Sequence, residues 1–203
     1  MIKSSKRNII IALLSVMLMA IVLDLTGIIG FCKRGIAHIA NDAEHFSDLQ
    51  GHIIEGDYSV SIDLSNLESN IGKELYNDGT HKIYVSFVND TGDINTGGYR
   101  IGFRASGQYS LSKATLISGV HNITLGQNLS TMNWTAKMTA EYKGIVYDSP
   151  VFGGGSLNYK DGSQFSFYIF PTEAYETNQV ALNEKGIVNL TITNLYKNIW
   201  IKK

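Results

Sequence analysis

The sequence predicts an all-β domain, an antiparallel β-sandwich, preceded by one N-terminal hydrophobic helix and a short amphipathic helix. Three observations predict it. A largely apolar run from Ile9 to Phe31 contains a single ionisable residue, Asp24. Apolar residues then recur every three to four positions from Ile36 to Leu49. From Tyr58 onward the alternation has a period of two. A small β-barrel is the alternative closure of the same strands. The expected organisation is a basic cytoplasmic N-terminus at 1–8 and a transmembrane signal-anchor, or signal peptide, at 9–31. An amphipathic connecting helix at 32–51 and an extracytoplasmic β domain at 52–203 follow.

As a single helix, Ile9 to Phe31 would span roughly 34 Å, close to a bilayer core of about 30 Å. Lys3, Lys6 and Arg7 precede the run, and Lys33 and Arg34 follow it. The basic excess before the run places the N-terminus in the cytoplasm and the remainder outside. A cleaved signal peptide, with release of the chain, is the rival reading. Its best cleavage site is Gly35-Ile36-Ala37, which lies beyond two basic residues. Cys32 follows the bulky Phe31 and does not fit a lipoprotein signal. Asp24 lies toward the outer end of the run, where an acid reaches the headgroups at modest cost.

Ile36, Ile39, Ala40, Ala43, Phe46 and Leu49 make one apolar stripe on a helix from Gly35 to Gln50. On that helix His38, Asp42 and His45 stand at i, i+4 and i+7. Zinc accepts His and Asp at such spacings, although no clear fourth ligand is present. The alternative is a solvated polar face that titrates near neutral pH.

The β pattern is clearest in Tyr58, Val60, Ile62 and Leu64, in Ile83, Val85 and Phe87, and in Tyr99, Ile101, Phe103 and Ala105. It continues from Met132 to Tyr142, in Phe165, Phe167 and Ile169, and in Val188, Leu190 and Ile192. Ile199 and Ile201 extend the last strand after a bulge. Leu111 to Leu125 is strand-like with a break at Gly119. Turn formers such as Asn77-Asp78-Gly79 and Lys160-Asp161-Gly162 separate the runs. About seven to nine strands, each with one buried face, imply antiparallel sheets packed face to face. Short helical turns are expected in 66–76 and 172–184.

Composition narrows the function. Residues 35–203 carry twelve basic and seventeen acidic side chains, a net of −5. That argues against nucleic acid as a partner, because phosphate binding needs a basic surface. One cysteine cannot staple a domain internally. No cofactor motif is present. Gly153-Gly154-Gly155-Ser156 lacks the Lys-Ser/Thr of a phosphate loop and reads as a hairpin loop. The turn holding Asp90, Asp93 and Asn95 gathers calcium-type oxygen ligands, but not in EF-hand order. Arg100 and Arg104 share a strand face and suit an acidic partner or a carboxylated sugar. Asn89, Asn122, Asn128, Asn133 and Asn189 each begin an Asn-x-Ser/Thr sequon. No catalytic residues are nominated. The expected function is a non-enzymatic surface module bound to the cell membrane through its N-terminal helix, with a protein or glycan ligand. A structural subunit of a surface filament or envelope complex, and an exported hydrolase, are the alternatives.

Overall fold

The computed structural model describes residues 2–126 and 129–203, without the side chains of 2–7 and Leu25. The Asn128 sequon and the side chains of Lys3, Lys6 and Arg7 thus lie outside the described residues.

The N-terminal run forms two helices rather than one. α1 covers Ile2–Leu25 and α2 covers Ile28–Arg34. The break falls at Thr26 and Gly27. Thr26 turns its hydroxyl back onto the Val22 carbonyl, and Gly27 takes a φ of 74° that a side chain would resist. Among the described residues, no single helix is long and apolar enough to cross a membrane. The segments Asn8–Asp24 and Ile28–Arg34 meet that length and composition only together, across a 67° bend.

The amphipathic helix is also shorter than its spacing predicts. α3 covers only Ile36–Asn41. Asp42 ends it by accepting the His45 backbone N–H, and β1 follows at Phe46–Ile54. The 32–51 helix is therefore corrected to part of α2, then α3, then most of a strand. Its stripe was ambiguous, because Phe46 is buried equally well from a strand.

The remaining elements run in order. They are β2 (Tyr58–Asp63), a 3-10 turn (Leu67–Asn70), β3 (Glu74–Asn77), β4 (Lys82–Asp90) and a second 3-10 turn (Ile94–Thr96). β5 (Tyr99–Ser106), β6 (Gln108–Tyr109), β7 (Lys113–Ser118), β8 (Val120–Gly126) and β9 (Leu129–Trp134) follow. β10 (Lys137–Tyr142), β11 (Ile145–Ser149), β12 (Val151–Gly154), β13 (Gly162–Tyr168), α4 (Thr172–Glu176), β14 (Ile187–Thr193) and β15 (Leu195–Lys202) complete the chain.

The protein is mostly β, with 49% of its residues in strands, arranged in four antiparallel sheets. Sheet I has the order β1-β15-β7-β6 and sheet II the order β11-β10-β14-β2. Sheet III has the order β12-β13-β5-β4-β3, and β8 pairs with β9 as a two-stranded ribbon. Each ends in free edge strands and none closes, so the barrel alternative fails. One hydrophobic cluster joins sheets I, II and III with α3. Phe103, Phe165, Phe167, Ile62, Leu190 and Trp200 are among its fully buried members.

There are more strands than the alternation predicts because long runs are broken. Gly119 separates β7 from β8, and its carbonyl accepts the N–H groups of Thr135 and Ala136 at the break between β9 and β10. Pro150 separates β11 from β12. Asn194, at φ 57°, kinks β14 into β15. That kink reverses the expected face: Asn198 and Trp200 turn inward, and Ile201 is exposed. A bulge between Val85 and Phe87 does the same in β4. Val88 takes the buried position, and Phe87 lies on the opposite face over Gly102.

Candidate functional site

The three sheet-III strands β13, β5 and β4 place Tyr168 opposite Arg100, Gln164 opposite Arg104, and Phe87 opposite Gly102. These residues face away from the core, because Tyr99, Ile101, Phe103 and Ala105 occupy the inward positions. Phe152, on the edge strand β12, packs against Tyr168 edge to face at 5.2 Å. The Arg100 guanidinium lies over the Phe152 ring at 4.6 Å, an attraction between a cation and the negative face of the ring. Phe152 is 39% exposed and Tyr159 is 40% exposed. Aromatic rings half open to water suit flat, partly apolar ligands.

The two arginines differ. Arg104 is buried, paired with Asp161, and covered by the Tyr159 ring 3.7 Å from its Cζ. It also donates to the Ala105 carbonyl, and to the Ser163 carbonyl at 3.3 Å. Its donors are spent inside the fold. Arg100 makes no ion pair or side-chain hydrogen bond among the described residues, and its Nε is buried without a partner. Sequence reasoning grouped the two because they share a face. It missed Phe152, Tyr159 and Asp161, although an aromatic beside Lys160-Asp161-Gly162 is a readable signal for an exposed ring on a turn.

The His38, Asp42 and His45 trio lines one cavity of about 360 Å³ with Asp24, Phe31 and Lys202. The side chains do not converge. Asp42 is 2.9 Å from His45 Nδ1, whereas His38 Nδ1 is 3.2 Å from Arg34. Among the described residues no three His, Cys, Asp or Glu side chains are close enough to hold a metal ion. Burial lowers the His38 pKa from its ordinary value, and the Arg34 charge adds to this, with Asp42 opposing and His45 assisting. Burial pushes the Asp42 carboxyl up, but hydrogen bonds from His45 outweigh it and hold it low.

Asp90, Asp93 and Asn95 serve the backbone of their own turn. Asp90 accepts from the Gly92 N–H at 2.9 Å. Asp93 caps the second 3-10 turn by accepting from the Asn95 N–H at 2.9 Å, and it also accepts from the Asn95 side chain. Of the sequons, Asn122 is buried, while Asn89, Asn133 and Asn189 are exposed.

A further polar cluster went unread in the sequence. His81, 4% exposed, has Asp78 at 2.9 Å from Nδ1 and Thr115 at 2.9 Å from Nε2. Burial raises the Asp78 pKa, but hydrogen bonds from His81 and Thr80 outweigh it and carry it well below the usual carboxylate range. The cluster ties the β3–β4 turn of sheet III to β7 of sheet I, and both ring nitrogens are spent on that link.

None of the family models, curated proteins or solved structures compared with this chain matches it.

Proposed function

We propose that the chain is a membrane-anchored extracytoplasmic module, a β-sandwich that binds an anionic glycan on the outer face of sheet III and does not transform it. The observation that carries this reading is Arg100, a cation with no ion-pair partner among the described residues, held against the half-exposed Phe152 ring. A guanidinium recognises a carboxylate through paired donors, and the rings accept the apolar face of a sugar. The sandwich is supported by the β14–β15 run, which passes from sheet II into sheet I, and by the core these sheets share with sheet III. The anchor is supported by the exposed apolar side chains from Ile9 to Val22 and by the basic residues that precede them.

The test is binding of the full chain, in detergent, to an array of uronic-acid and neutral glycans. Retention on the acidic members should fall about tenfold in Arg100→Gln and in Phe152→Ala, a loss of about 1.4 kcal/mol. Equal retention by the variants, or turnover of the glycans, overturns the proposal.

One observation favours a second reading, a subunit of a surface assembly. β11 is an edge strand carrying Ile145 and Val146, the latter 65% exposed. Apolar open edges pair readily with another chain. Cys32 is exposed, so oxidative cross-linking in membranes separates the readings: covalent dimers favour assembly, and monomer alone favours the binding module.

A further inference from the structure

A second cavity shares none of the residues of the Arg100 face. It has a volume of about 390 Å³ and sits between α3, the β8–β9 ribbon and the loop after β12. Its walls include Asn41 from α3, Asn122, Ser130 and Thr131 from the ribbon, and Ser156 and Leu157 from the loop. The glycine after β12 makes this wall possible. A side chain at Gly155 would run into Met132 and Val120, so only glycine lets the loop approach the ribbon.

The polar groups here are largely unspent. Asn122 is 6% exposed, and its Nδ2 has no hydrogen-bond partner among the described residues. The strand around it is fixed, because its own backbone N–H donates to Asn198 at 2.7 Å. An unmet buried amide is unfavourable, and such a group marks a missing partner. Asn41 donates its Nδ2 to the Ala37 carbonyl at 2.8 Å, which leaves its Oδ1 as an acceptor. Ser130, Thr131 and Ser156 also line the space. No titratable side chain is among the lining residues. The cavity therefore offers donors and acceptors beside the apolar Leu157 and Met132, with no charge. Its size falls at the small end of small-molecule pockets.

We propose that this cavity binds a neutral, hydroxyl-rich ring of monosaccharide size, with Asn122 and Asn41 contacting ring substituents and Ser156 at the rim. The site is independent of the Arg100 face and takes uncharged ligands, which that face does not select.

The experiment measures binding of glucose, N-acetylglucosamine and glucuronate to the full chain by saturation-transfer NMR, in a detergent without a sugar headgroup. Saturable binding of a neutral sugar is expected, with glucuronate weaker. Ser156→Phe places a ring at the exposed rim and should weaken binding about tenfold or more. Asn41→Ala should weaken it less, and Arg100→Gln should leave it unchanged. Circular dichroism of each variant checks that the fold survives. Absence of saturable binding by either neutral sugar overturns the proposal, as does undiminished binding in a folded Ser156→Phe chain. Loss of neutral-sugar binding in Arg100→Gln would also overturn it, by moving the sugar to the sheet-III face.

Discussion

Arg100 and Arg104 are the same residue type, four positions apart on the same strand face, yet their environments separate them. Arg104 meets Asp161 and the Tyr159 ring and becomes part of the fold. Arg100 lies over the Phe152 ring and pairs with no acid among the described residues. The alternation that places both outward was legible in the sequence. Their difference was not, because it depends on a turn more than fifty residues away. His38 shows the same limit. Its helical spacing from Asp42 was readable, but its neighbours Gly27, Gly30 and Arg34 come from the bend, which was not. The folded chain holds the His38 proton less tightly than the unfolded chain does. Stability is therefore full above about pH 6.5 and is lost as pH falls toward the lower folded value. Thermal denaturation across pH 5 to 8 should show this decline, and His38→Gln should flatten it.

At the level of elements, burial of one face was well encoded where strands are straight. Ile101, Phe103 and Ala105 in β5, and Val188, Leu190 and Ile192 in β14, all lie inward as their alternation requires. The pattern misleads wherever the backbone inserts an extra step. The β4 bulge and the Asn194 kink each exchange the two faces, because side chains alternate with every residue. Gly119 was readable as a break, and the structure supplies its cause. A Cβ there would lie 2.6 Å from the buried Phe165 ring. Gly119→Ala should therefore destabilise the chain by about 1–3 kcal/mol, the usual cost of overpacking a core. Urea denaturation measures it. An unchanged midpoint would mean that Phe165 moves aside freely.

For the molecule as a whole, the folded body begins earlier in the chain than composition suggests. The change of period near Gly51 marked residue 52 as the start of the β domain. In the structure, Ile36, Ile39 and Ala40 of α3 are buried in the common core, and β1 is hydrogen-bonded along β15. Period detects the type of an element, but not whether that element packs against distant strands. A fragment of residues 35–203 should fold to a soluble, cooperatively melting protein. A fragment of residues 43–203 lacks α3 and opens its share of the core to water, so it should melt at a lower temperature or fail to fold. Circular dichroism melting of the two fragments compares them directly. Equal melting temperatures would place α3 outside the folding unit.

The Ile36 N–H donates to the Lys160 carbonyl at 2.8 Å, and no side chain would fit at Gly35 against that carbonyl. Lys160 adjoins Asp161, the partner of Arg104 beneath Tyr159. If the N-terminal helices anchor the chain, as proposed, tension along them enters the body at the loop that shapes one end of the aromatic face. A ligand held on the proposed Arg100 face would then, when it tugs on the protein, load its own recognition surface.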